Sequence, residues 1–186
     1  AWAKACNTPF QGYKQSQFEG GIATPMIVHW PNGITVPATF NRQRGHLVDI
    51  HATFRELAGI EYPEEYDPKT QQLSGPALGP ARGISLVPSF TGKPRAEHKY
   101  LYQNFSNDKT ALVRGDWKLV NFNKLYNLKE DRIESKELST SLPDKLELMR
   151  SEFARLDSEL NQGRAMKKLE VDKNKSRTQT MQAVPS

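Results

Sequence analysis

Cysteine is almost missing: Cys6 is the only one among 186 residues. A single thiol excludes an internal disulfide framework and a multi-cysteine metal site. Long apolar runs are missing as well. No stretch approaches the roughly 20 apolar residues needed to cross a bilayer as a helix. The first ten residues show no charged start, apolar run or cleavage site of a secretory leader. Hydrophobic residues reach only 37% and aromatic ones 9%, with a mean hydropathy of −0.69, which leaves little material for a large core. Internal repeats are absent too.

Positive charge is present, but most of it sits at one end. Of the net +5, +4 falls between Arg164 and Ser186, where Arg164, Lys167, Lys168, Lys173, Lys175 and Arg177 face only Glu170 and Asp172. That segment has no Phe, Tyr or Trp to stack on bases. It reads as a solvated basic tail, and no nucleic-acid partner is expected.

Residues 1–24 are polar and aperiodic and read as loop. Pro25 opens the apolar run Met26-Ile27-Val28-His29-Trp30, which Pro31-Asn32-Gly33 closes. This predicts a buried strand of a parallel sheet. Leu47, Ile50, Phe54 and Leu57 share one helical face and predict a helix over 47–58, with Gly59 as its cap. Strand, loop and helix in that order suit an α/β layer. Residues 61–96 form a long connection with one short helical turn near Leu86.

The texture changes after residue 97. Residues 100–105, 110–114, 117–122 and 124–128 read as short strands of an antiparallel sheet, with Gly115-Asp116 as a tight hairpin. Leu142, Leu146, Met149, Phe153, Leu156 and Leu160 predict a helix over 143–161 whose stripe covers one face of that sheet. Pro143 suits its first position, Asp144 its dipole and Gly163 its end. Residues 1–96 are thus expected in an α/β domain, 97–163 in a sheet-plus-helix subdomain, and 164–186 in the tail.

Lys14 stands five residues before Glu19-Gly20-Gly21. Paired glycines let backbone approach another group closely, and a lysine held there supplies a point charge for an oxyanion. A solvated lysine beside a turn is the competing reading. His29, His46, His51 and His98 show no metal-pair spacing and read as structural. Cys6 reads as a small buried or half-buried residue. Arg114-Gly115-Asp116 reads as a hairpin turn rather than an adhesion motif.

Lys14, Glu19-Gly20-Gly21, Pro25 and the run ending at Trp30-Pro31 together resemble the sulfatase family of the alkaline phosphatase superfamily. Trp2-Ala3 and Asn7-Thr8-Pro9-Phe10 look like bacterial arylsulfatases. The resemblance continues through residues 45–50, 52–53, 57–59, 83–88, 113–114 and 117–120, and through Leu125-Tyr126-Asn127-Leu128 with Asp131-Arg132. It covers about residues 1–160. It implies the C-terminal part of an alkaline-phosphatase-like α/β/α sandwich followed by a small α+β subdomain. It also implies that Lys14 contacts sulfate oxygens, while Glu19, Gly20 and Gly21 position the loop.

The intact enzyme would carry formylglycine, made from the first residue of a Cys/Ser-x-Pro-x-Arg motif, and calcium. Neither set of ligands is in this chain. Thr8 and Phe10 stand where the motif after Cys6 needs proline and arginine, and no aspartate precedes Lys14. The chain alone is expected to be inactive. Its implied partners are a sulfated small molecule or polysaccharide and the N-terminal part of the same enzyme, in the periplasm or outside the cell. Two alternatives stay open: a phosphodiesterase or phosphonate monoester hydrolase of the same superfamily, and a non-catalytic polyanion-binding module. Gln103-Asn104-Phe105 stands where relatives often have an acidic residue and a histidine. This implies altered specificity if the segment lines the pocket.

Overall fold

A computed structural model describes residues 2–38, 40–63, 65–67, 72–77, 81–106 and 109–160; Gly163 and the basic tail lie outside the described residues. Two compact units are present. One joins the residues up to Thr24 with those from Tyr102 onward, and the other is Pro25–Leu101.

In the first unit, β3 (Leu101–Ser106), β4 (Lys109–Arg114), β5 (Trp117–Val120) and β6 (Lys124–Asn127) form a four-stranded sheet in that order. β4 pairs with β5 and β5 with β6, both antiparallel. Arg114 lies opposite Trp117, so Gly115-Asp116 is a two-residue hairpin. Gly115 takes φ 55° at the first central position, which suits a glycine. β5 stops at Val120 because Asn121 and Phe122 both turn left-handed, at φ 49° and 62°. The sequence reading carried this strand two residues further.

The register sorts the sheet into two faces. Leu112, Leu119 and Leu125 stand side by side on one face, with Arg114 and Trp117. Val113, Lys118 and Tyr126 stand on the other. The helix at 143–160 (α5) covers the first face. Met149 and Phe153 are fully buried, and the Phe153 ring meets Phe122 edge-on at 4.6 Å and Tyr102 at 4.9 Å. Arg114 pairs with Glu152 of α5 at 3.0 Å, and Lys145 of α5 lies over the Trp117 ring. The N-terminal segment, with α1 (Trp2–Ala5) and α2 (Glu19–Ile22), covers the second face. Burial on both sides explains why β4 and β5 read as nearly continuous apolar runs.

The second unit holds α3 (Leu47–Ala58), the short antiparallel pair β1 (Glu65–Asp67) and β2 (Gln72–Ala77), and α4 (Val87–Phe90), which follows Leu86 as expected. α3 has its predicted bounds and ends on Gly59 at φ 64°. At its start His46 and Asp49 form a reciprocal capping box. Its packing differs from its apolar stripe. Asp49 and Thr53 are the buried residues, while Leu47, Phe54 and Leu57 are exposed.

Three expectations are corrected. Residues 26–30 are not a strand, and Ile27 is 93% exposed. A strand exists only through its ladder partners, and none of the described residues supplies one. His29 is exposed with that segment. Cys6 is exposed rather than buried, lying in the turn after α1 where its N–H closes on Trp2 O.

Candidate functional site in the Lys14 loop

The N-terminal segment doubles back on itself. Gly20 N–H donates to Gln11 O at 2.9 Å, and Asn7 Nδ2 donates to Gly20 O at 2.9 Å. These bonds close a loop whose tip is a turn at residues 13–16, with Ser16 N–H on Tyr13 O. Lys14 sits exposed in that turn, and Gln15 beside it is left-handed at φ 69°.

The double glycine is required by contact. A Cβ on Gly20 would lie 2.4 Å from Gln11 O, and one on Gly21 would lie 2.2 Å from Ser16 O. Both obstacles are backbone atoms, so α2 can pass under the loop only if these positions lack side chains.

The loop is pinned to the sheet by a buried ionic triad. Lys118 projects from the face of β5 under the loop, and its side chain is 0% exposed. Its Nζ donates to Glu19 Oε1 at 2.8 Å. It also lies 2.7 Å from Glu134 Oε1, as an ion pair outside good hydrogen-bond alignment. Glu134 Oε2 accepts from Glu19 N–H at 2.6 Å, and Gln11 Nε2 donates to Glu134 O. Glu134 itself is left-handed at φ 57°. Two carboxylates thus share one ammonium away from water. Burial pushes the Glu134 carboxyl up, and the Lys118 ammonium only partly offsets it. Phe18 packs edge-on against Tyr126 at 6.0 Å. Burial, then the charges of Glu134, Glu137 and Asp131, push the Tyr126 hydroxyl up to about 12.

A second buried cluster belongs to the other unit. Asp49 accepts from Ile84 N–H at 2.8 Å, His46 N–H at 2.7 Å, Arg95 Nη2 at 2.7 Å, and meets His98 Nε2 at 2.7 Å. Burial pushes its carboxyl up, but the bonds from Ile84, His46 and His98 outweigh that and hold it below the ordinary value. Arg95 spends its other donors on the carbonyls of Arg44, Ile84 and Ser85. His46 and His98 are therefore structural here. His51 is exposed, with its ring edge-on to Tyr62 at 6.3 Å.

Among the described residues no group of three His, Cys, Asp or Glu side chains is arranged to hold a metal ion. The buried carboxylates already have partners: Glu19 and Glu134 face Lys118, and Asp49 faces Arg95 and His98. These residues do not fit a calcium site. Chemically, the loop offers one thing: an exposed ammonium on a turn held by backbone closure and a buried ionic anchor.

Sequence reasoning singled out Lys14, which the structure places exposed in the turn, and expected Glu19, Gly20 and Gly21 to position the loop. It missed Asn7, Gln11, Lys118 and Glu134. Lys118 did carry a signal, as a charge inside the apolar strand Trp117-Lys118-Leu119-Val120. Nothing local names partners 99 and 16 residues away in the sequence.

No family model matches the chain. Arylsulfatase K of Danio rerio is 30% identical, covering 72% of this chain and 25% of that protein. An N-acetylgalactosamine-6-O-sulfatase of Bacteroides thetaiotaomicron is 27% identical, covering 60% of this chain and 19% of that protein. A solved structure from a Bacteroides thetaiotaomicron locus for the metabolism of multiple glycosaminoglycans, labelled 6S-sulf, matches with a TM-score of 0.55 and 21% identity. It covers 79% of this chain and 32% of that one. This likeness shows the fold, which is alkaline-phosphatase-like, with mixed helix and sheet and a four-stranded antiparallel sheet. The chain spans a quarter or less of the length of the curated relatives it matches.

Proposed function

We propose that this sulfatase-related chain is the C-terminal part of an enzyme that hydrolyses sulfate esters, and that Lys14 is its sulfate-contacting lysine. The loop carries the reading. Its tip presents one ammonium, and everything beneath the tip serves to hold it still. Cleaving a sulfate ester places negative charge on the non-bridging and leaving oxygens. A cation pre-positioned beside them stabilises that charge without reorganising.

Calcium and formylglycine accompany this activity in the family. The described residues do not fit calcium, and the sequence carries no Cys/Ser-x-Pro-x-Arg motif for formylglycine, so both belong to the N-terminal part of the intact enzyme in this reading. The described segments then divide by role. In this reading residues 1–96 are assigned to the large α/β domain and 97–163 to the small subdomain, with residues 2–24 packed on the sheet of the latter. The substrate is a sulfated small molecule or polysaccharide, and the compartment is the periplasm or the cell exterior. Every relative named above is a sulfatase, which favours this ester over the phosphate and phosphonate esters of the superfamily.

Reading the coding sequence upstream of Ala1 tests the proposal. An in-frame Cys/Ser-x-Pro-x-Arg motif and an Asp-Asn pair are expected there. A start codon directly before Ala1 would sink the enzyme reading. In the complete enzyme, Lys14→Ala should lower kcat/KM by about 10²- to 10³-fold, the scale seen when one transition-state donor is removed.

A further inference from the structure

α3 is amphipathic the wrong way round for the unit that holds it. A helix of this kind normally turns its apolar stripe to the core. Here the inner side is polar. Asp49 accepts from Ile84 N–H at 2.8 Å, and Thr53 Oγ1 accepts from Leu86 N–H at 2.9 Å. The stripe points outward: Leu47 is 77% exposed, Phe54 65% and Leu57 43%. Ile60, just past the Gly59 cap, adds another exposed apolar side chain. Hydrogen bonds on one side fasten the helix to residues 84–86, and none of the described residues covers the other.

Arg55 follows Phe54 at the margin of this stripe and has the opposite problem. Its Nε and Nη1 are out of contact with water and find no hydrogen-bond acceptor among the described residues. The guanidinium lies over the Tyr62 ring, 4.9 Å from its centre. A ring face does not replace acceptors for these N–H groups, and buried donors left unpaired cost free energy. An outward apolar stripe beside unpaired donors is half of an interface. The missing half is apolar, with an oxygen acceptor at its Arg55 margin.

We infer that the outward face of α3 is a docking surface for the part of the polypeptide that precedes this chain in the intact enzyme. The curated relatives run far beyond the stretch that matches this chain, so most of such a protein is left to supply the cover. The inference rests on this chain being the C-terminal part of a longer enzyme. It adds the surface on which the rest packs and the apolar character of that contact.

The test compares the complete enzyme with this chain alone by hydroxyl-radical footprinting, which reads side-chain exposure residue by residue. Phe54 and Leu57 should be oxidised in this chain and protected in the complete enzyme. Phe54→Gln with Leu57→Gln gives a second reading by urea unfolding. In this chain the pair should leave the midpoint unchanged, since both side chains already meet water. In the complete enzyme it should raise the unfolding equilibrium constant by at least about 100-fold, the loss of two buried apolar side chains. Equal oxidation of Phe54 and Leu57 in the two proteins overturns the proposal. So does an equal effect of the variant in both, which makes the stripe part of this chain's own packing. A complete enzyme that sediments as a dimer, and as a monomer once it carries the variant, gives the face to a second copy and overturns it too. None of these readouts needs activity. Protection in a protein that hydrolyses no sulfate ester keeps the docking surface and removes the sulfatase reading, whereas a start codon directly before Ala1 removes both.

Discussion

Replacing Lys118 by methionine would test whether the ionic triad holds the loop as described. Each contact of Lys118 with Glu19 and Glu134, at 2.8 and 2.7 Å, is worth about 6 kcal/mol at an effective dielectric constant of about 20. Desolvating three ions offsets most of that. Methionine keeps the volume of the lysine stem but leaves two carboxylates buried together, so a loss of about 3–5 kcal/mol is expected near neutral pH. The sign of the pH dependence follows from Glu134, whose carboxyl is already raised above its ordinary 4.5. A raised acid contributes stability that is complete below that ordinary value and is lost as pH rises through the folded value. Without the ammonium the carboxyl rises further. The penalty should therefore be small at about pH 4.5 and full at about pH 8.5. Urea unfolding followed by circular dichroism at both pH values measures it. Adding Glu134→Gln to Lys118→Met should restore most of the loss at the higher pH. A penalty below about 1 kcal/mol, or one equal at both pH values, would refute the reasoning.

Other outcomes follow from the same geometry. Gly20→Ala forces a Cβ into Gln11 O and should cost about 1–3 kcal/mol as the loop shifts, with faster proteolysis between residues 11 and 20 as its readout. Asp49→Ala strands the Arg95 guanidinium and should cost about 3–5 kcal/mol in urea unfolding. The Asp49 carboxyl lies below its ordinary 3.8, so its contribution is present above that value and is lost as pH falls through the folded value. In a spectrophotometric titration, one tyrosine should ionise only near pH 12 in the folded chain, and Tyr126→Phe should remove that step.

The elements with strong period were legible. α3, α5 and the four strands follow from apolar spacing, and the Gly115-Asp116 turn from its residues. The run at 26–30 misled because apolar content says that a segment wants cover, while only a neighbouring strand makes it β. The stripe of α3 misled in the same way: Asp49 and Thr53 face inward because hydrogen bonds, rather than apolar area, fasten that helix. In the site, Lys14 and the double glycine were legible through their pattern. The anchor beneath them was not. Lys118 stands where strand alternation allows either face to meet solvent, and only the N-terminal segment lying over that face makes its burial tolerable.

That anchoring has a consequence for the order in which the molecule is made. Glu19 meets Lys118 across 99 residues of sequence, and Gln11 meets Glu134 across 123. Contacts so distant form late, because the chain between them must be closed first. During synthesis the Lys14 loop emerges before its anchor and has nothing to fasten to until β5 and residue 134 have left the ribosome. A chain cut between residues 14 and 134 would contain Lys14 and still lack the device that holds its loop, so a segment made much later determines whether the loop is held.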